Sequence, residues 1–332
     1  MPDFFEAYDA VLTPLFTASN TLSLLAGAES AGVIEALRQR RTAAELAELA
    51  DQDPATVQAW CRALETCGIT EGSDEGYVLT EHWLALTEPS AFVPLATALA
   101  GNRVEGRLLA GLADSTYWSM ATEDRLAYAR AVSPDPFSDA LVAAFRQQLA
   151  NDPDRAPMLA GGRLLEMGCG VAGRILTTLR AAPDLTAVGV ELSEDLAAEA
   201  RRRANELGLA DRFTVVCTDA SAFSTDEPFD HGFWSQFFFP AEARQGALAA
   251  LMAALRPGAG LDAPIGGDFD AMAADPAGPE AREYAVGRAI LQSWGVPERT
   301  PQALVAELEE AGFVDVRVVP RPGSAVVRGV RP

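Results

Sequence analysis

RLLEMGCGVAGRIL, running from Arg163 to Leu176, decides the fold. Apolar Leu164 and Leu165 lead into Glu166, then Gly168-Cys169-Gly170-Val171-Ala172-Gly173, then a helical pattern from Arg174. Strand, glycine turn, helix is the unit that brings a nucleotide-like ligand against bare backbone. Glycine tolerates positive φ and has no Cβ to hold a ligand away. The following helix offers unsatisfied N–H groups above its first turn. Glycine spacing by itself does not choose among such ligands; the flanking sequence does.

Working outward, Leu185 to Val190 reads as a second strand ending in Glu191, 21 residues after Gly170. An acid there accepts hydrogen bonds from both hydroxyls of a ribose. A helix over Glu194 to Leu207 follows, with Ser193 as N-cap and Gly208 just past its end. Phe213 to Cys217 is a third strand closing on Asp219, an acid suited to an exocyclic amine such as that of adenine. Asp230 to Phe239 reads as a central strand running into an aromatic edge, and a helix over Ala241 to Leu255 stops at the turn Arg256-Pro257-Gly258.

This order resembles the class I S-adenosylmethionine (SAM) dependent methyltransferases. Glu166 stands two residues before the first glycine, as in the family's E-x-G-x-G-x-G pattern; Ala172 replaces its third glycine, with Gly173 one place later. Glu191 matches the ribose-binding acid, Asp219 the adenine-contacting acid, and Arg256-Pro257-Gly258 the turn before the fifth strand. The resemblance implies SAM as cofactor, bound by Glu166, Gly168, Cys169, Gly170, Gly173, Glu191, Leu192, Asp219, Ala220 and Ser235. A nicotinamide-dependent enzyme also wants a glycine turn and a distal acid, but leaves Glu166, Asp219 and the Arg-Pro-Gly turn without a role.

The 332 residues suggest two domains. Residues 3 to 36 are helical by periodicity, with an aromatic stripe from Phe4 to Phe16 and Pro14 expected to kink or divide the helix. Thr42-Ala43-Ala44-Glu45 is a capping box, Asp53-Pro54 opens a further helix, and short strands around Ile69 and Val78 complete a winged-helix pattern. Within the small-molecule O-methyltransferases that this chain resembles, such a unit serves dimerisation. The expected architecture is α/β: a Rossmann-like class I methyltransferase domain (156–332), preceded by a helical winged-helix dimerisation domain (1–100) and connecting helices (101–155).

A formal charge of −21 opposes a phosphate-gripping surface. Arg201-Arg202-Arg203 reads as a solvated helix face, and the would-be recognition helix of the winged unit carries only Arg62 as a cation. The expected partners are therefore a small organic substrate and a second copy of the chain, not nucleic acid. No apolar run reaches the roughly 18 residues of a membrane span, and four cysteines without framework spacing point to the cytoplasm. No metal site is expected, since Cys61 and Cys67 have no histidine beside them.

The acceptor side is less legible. Many relatives use a histidine shortly after the fourth strand as general base, yet that region holds Phe237, Phe238 and Phe239. Of the two histidines, His82 sits beside the wing and His231 at the start of the fourth strand, so His231 reads as structural. Asp268, Asp270 and His231 are the candidates for a proton acceptor, and Trp118, Gln236, Phe239 and Trp294 for contact with the acceptor molecule. O-methylation is the expected reaction. C- or N-methylation, or a non-methylating step such as cyclisation, remains open on the missing base, and a DNA-binding regulator is opposed by the intact acids and glycines.

Overall fold

The computed structural model describes residues 3–111, 117–321 and 324–332, so part of the expected connecting helices (112–116) lies outside the described residues. The chain divides into two compact units, Met1–Ala100 and Gly101–Pro332.

In the first unit a helical run covers Phe4–Ser30, passing through a π-type stretch at Tyr8–Leu12 just before Pro14. A ring without an N–H cannot close the ordinary i→i−4 bond, and the wider turn accommodates it. This run has 27 residues and is, by length and composition alone, long and apolar enough to cross a membrane. The expectation of no such stretch counted unbroken apolar residues; averaged hydropathy absorbs the intervening hydroxyls. Thr42 and Glu45 form the expected capping box, and Asp53 accepts from Thr56 N at the next helix, Pro54–Thr66. A hairpin follows, β1 (Thr70–Ser73) against β2 (Gly76–Leu79). Its core is Leu25, Ile34, Leu37, Leu46, Val57 and Leu64.

The second unit holds a seven-stranded sheet: β3 (Gly162–Met167), β4 (Leu185–Glu191), β5 (Phe213–Cys217), β6 (Phe229–Trp234), β7 (Leu255–Ile265), β8 (Val314–Arg321) and β9 (Ser324–Val330). The order is β5-β4-β3-β6-β7-β9-β8, parallel through the first five and antiparallel at β9 and β8. Successive side chains of β3 go to opposite faces. Leu164 joins Leu176, Leu179 and Ala197 on one side; Leu165 joins Leu248, Leu251 and Leu308 on the other. Helices thus cover both faces, which is why the strands read as apolar runs.

Two expectations are corrected here. The fourth strand of this sheet stops at Trp234, and Gln236–Phe238 is a turn of 3-10 helix instead of strand. Arg256-Pro257-Gly258 does not turn before β7 but lies within it: pairing jumps from Leu255 opposite Phe229 to Gly260 opposite His231, so the run bulges out of the ladder. Proline has no N–H to give the ladder, and an irregular position suits it.

One row crosses five strands with a charge at four places: Glu166, Phe233, Asp262, Arg328 and Arg317 are successive register partners. Asp262 and Arg328 are each 1% exposed, and Arg328 donates to Asp262 Oδ1 at 2.6 Å and to Asp152 Oδ2 at 2.7 Å. Buried charges survive only when paired in this way.

Candidate active site

The parallel strands end on one edge, and the expected cofactor residues gather there. Gly168 N and Cys169 N both donate to Val190 O, at 2.9 and 3.0 Å, folding the turn over the end of β4. Gly168 and Gly170 have φ of +80° and +55°. A Cβ on Gly168 would stand 2.8 Å from the Phe239 ring, and one on Gly173 would stand 2.1 Å from Ser133 Oγ and 2.3 Å from Pro134 O. Close approach of the 133–134 segment therefore requires glycine at 173, where its helix begins.

Glu191 is buried, its Oε2 accepting from Gly170 N at 2.8 Å and its Oε1 from Ser193 N at 2.9 Å. Burial raises its pKa, against the backbone donors that lower it. Each carboxylate oxygen accepts more than one bond, so the group keeps capacity for a diol. Leu192, next to it, is half exposed. Ser193 begins the following helix as expected, but its hydroxyl donates to Asp195 instead of capping.

Asp219 lies at the end of β5, exposed, accepting from Ser221 N at 2.8 Å and Ser221 Oγ at 2.5 Å through Oδ1. It caps the short turn Ala220–Ala222, and the Ser221 hydroxyl and then its N–H lower its pKa. Glu166 is 3% exposed; burial pushes it up to about 7, opposed by Arg174 and by a 3.4 Å hydrogen bond from Ser235 Oγ.

The acceptor-side expectations fare differently. Gln236 is 2% exposed and faces the protein: its Nε2 donates to Pro264 O at 3.0 Å, and Arg244 donates to both its carbonyl and its Oε1. Arg244 in turn holds Glu307 through two bonds, so Gln236 is tied into a chain of hydrogen bonds that reaches Glu307. Phe239 is buried against Trp234 at 5.7 Å and beside Gly168. His231 is also interior, near the amino end of β6 and 3.7 Å from Asp262, away from the carboxyl edge. Asp268 caps the helix Phe269–Ala274 by accepting from Asp270 N and Ala271 N; Asp270 is exposed in its first turn. Trp118 is exposed and meets Tyr117 edge-on at 5.1 Å, while Trp294 packs edge-on against Tyr117 and Tyr128.

Sequence reasoning missed the ties that hold this edge together. Arg125 covers Tyr117 and Trp118, donates to Met120 O at 2.8 Å, and lies 3.5 Å from Asp195, so the 117–125 segment sits beside the loop that follows Glu191. The three adjacent arginines also diverge: Arg203 is 8% exposed, bonded to Glu199 and, at 3.4 Å, to Val171 O in the glycine turn. Glu199 binds Arg130 as well; despite burial, which works the other way, Arg202 and Arg130 bring it down to about 2. Arg203 stands seven, four and three residues after the buried Leu196, Glu199 and Ala200, on the same helix face, a signal available from periodicity alone.

Residues 164–258 match a protein family described as "Methyltransferase domain". The uncharacterised protein YjhP of Escherichia coli (strain K12) is 29% identical over 124 residues, 37% of this chain. The match spans about half the length of that curated relative, 47%. Among solved structures, an O-methyltransferase family protein from Burkholderia thailandensis superposes with a TM-score of 0.70 at 16% identity, over 96% of this chain and 97% of that one. Human N-acetylserotonin methyltransferase in complex with SAM gives 0.73 at 14%, over 100% and 99%. The mitomycin 7-O-methyltransferase MmcR gives 0.68 at 19%, over 98% of each. Likeness at such identity speaks for the fold. Residues 164–258 are a methyltransferase domain, set in a chain that has the class I methyltransferase fold.

Proposed function

We propose that this chain is a SAM-dependent methyltransferase acting on a small organic acceptor, by O-methylation, in the manner of the natural-product enzymes it is similar to. The observation that carries this is Glu191: a buried carboxylate at the end of β4, bonded to Gly170 of the glycine turn. It fits the diol of a nucleoside, with Asp219 and Ala220 at the neighbouring strand end for the base. Bound SAM supplies the methyl group as a sulfonium, activated already. The protein's part is to orient the acceptor and exclude water. Phe237, Phe238 and Phe239 contribute a wall without a proton acceptor, so the acceptor brings its own acidity, as a phenol, enol or carboxylate does.

Calorimetry with S-adenosylhomocysteine (SAH) and with NAD tests the cofactor; SAH should bind and NAD should not. Mass spectrometry after incubation with methyl-labelled SAM and a panel of phenols and enols tests the reaction. Products without the label, from a protein that binds SAH, would replace methyl transfer with a non-methylating step.

The first unit supports self-association. Its two helices and hairpin are consistent with a winged helix, and Phe4, Phe5, Val11, Leu15 and Phe16 are each at least half exposed on the leading helical run. An apolar stripe of this size marks an interaction surface. A second copy is its proposed occupant, to be read as a dimer in light scattering. The free state of all four cysteines fits a reducing cytoplasm, and the charge of −21 keeps nucleic acid out of the proposed partners.

A further inference from the structure

Behind the glycine turn, a small cavity lies between the sheet and the helices above it, lined by Arg155, Glu166, Arg174, His231, Phe233 and Asp262 among others. Arg155 is 5% exposed and His231 6% exposed. Arg155 Nε and His231 Nε2 are both buried without a hydrogen-bond partner among the described residues. Each lies 3.7 Å from Asp262 Oδ2, too far to bond. The Arg174 guanidinium carbon lies over the Phe233 ring, 3.8 Å from its centroid, held by a ring face instead of a carboxylate.

The charges around the cavity do not balance. Asp152, Asp154 and Asp262 are matched by Arg317, Arg321 and Arg328: Arg328 bonds all three acids, Arg321 donates to Asp262 at 2.6 Å, and Arg317 to Asp154 at 2.5 Å. That array is neutral by itself. Arg155 and Arg174 are left with Glu166 as the one remaining acid, so the interior carries an uncompensated positive charge. An isolated buried cation is costly, and a buried donor without an acceptor adds to the cost.

We propose that this cavity binds a small monovalent anion of halide size, held by Arg155 Nε, the Arg174 guanidinium and His231 Nε2. In the tautomer with its proton on Nε2, the histidine is a second directed donor. Room for an occupant of about the size of a water molecule excludes sulfate and phosphate. The Asp262 carboxylate faces the same space but is already neutralised by Arg321 and Arg328. The cavity shares Glu166 with the proposed cofactor residues, but the donors Arg155, Arg174 and His231 are not among them, so the anion site stands whether or not the chain binds SAM.

Crystals of the full chain grown in sodium bromide should give an anomalous peak in contact with Arg155 Nε. Thermal unfolding in sodium chloride, balanced with sodium gluconate at constant ionic strength, should show a Tm that climbs and saturates with chloride. Arg155→Gln should abolish that dependence. The bromide map needs no variant, so a poorly folding Arg155→Gln leaves the test intact. Water without anomalous signal at the site overturns the proposal. So does a chloride response that gluconate reproduces, or one that persists in Arg155→Gln with no peak in the cavity, which marks an adventitious ion only.

Discussion

The backbone N–H of Gly170 donates to Oε2 of Glu191 at 2.8 Å, tying the turn after β3 to the carboxylate that ends β4. The two residues expected to share a ligand are thus already joined to each other. Glu191→Ala removes a charged acceptor and leaves the Gly170 N–H unpaired. A charge-assisted hydrogen bond contributes about 1.5–3 kcal/mol, so SAH binding should weaken roughly tenfold or more. Titration calorimetry reads this directly; Glu191→Gln, which keeps an amide oxygen, should fall between.

Gly173 and Gly170 should respond differently to alanine. At Gly173 a methyl group meets Ser133 Oγ and the Pro134 carbonyl, so the crossing segment must shift, and overpacking of this kind costs about 2 kcal/mol. At Gly170 nothing lies within 4 Å, and the cost is backbone strain at φ +55°, about 1 kcal/mol. Urea unfolding of the two variants should rank Gly173→Ala as the less stable. Equal losses would remove the packing argument.

Asp262 should govern acid stability. Burial raises its pKa, but His231, Arg328 and Arg321 overcome this and hold it well below the usual carboxylate range. Its folded value lies under its unfolded one, near 3.9. Its contribution is therefore present above about pH 4 and is lost as the pH falls further. Asp262→Asn leaves buried arginines short of a partner and should cost about 3–5 kcal/mol at neutral pH. Its acid-unfolding profile should be correspondingly shallower below pH 4.

Glu166 should act in the opposite direction. Its folded pKa of about 7 exceeds the unfolded value, so the folded state binds the extra proton between about pH 4.5 and 7. Stability should fall with rising pH across that window and then level off. Glu166→Gln mimics the neutral form. It should flatten this slope and, at pH 8, exceed the parent by roughly 3 kcal/mol, as measured by chemical denaturation.

What the sequence made legible was local. The β3 strand, the glycine turn and the acid ending β4 follow from alternation, glycine chemistry and a fixed spacing, and each lies where those rules put it. The aromatic run after Trp234 misled because phenylalanine suits a strand, whereas Arg244 and Glu307 fix a 3-10 turn from far along the chain. The charged row had no sequence signature. Arg328 and Asp152 are 176 residues apart, and nothing in local spacing relates them. Arg203 could have been separated from Arg201 and Arg202 by helical period, but its bond to Val171 O could not.

Ala172 stands in the left-handed region at φ +59°, fully buried, where a glycine would sit without penalty. An L-residue there costs roughly 1–2 kcal/mol. The turn is therefore a spring, kept wound by its neighbours: Val190 O beneath it, Arg203 on the Val171 carbonyl, and the 133–134 segment against Gly173. A loosened clamp at any of these should show first as unwinding at Ala172. Amide exchange in the turn would then report on the tightness of the whole edge before any ligand is added.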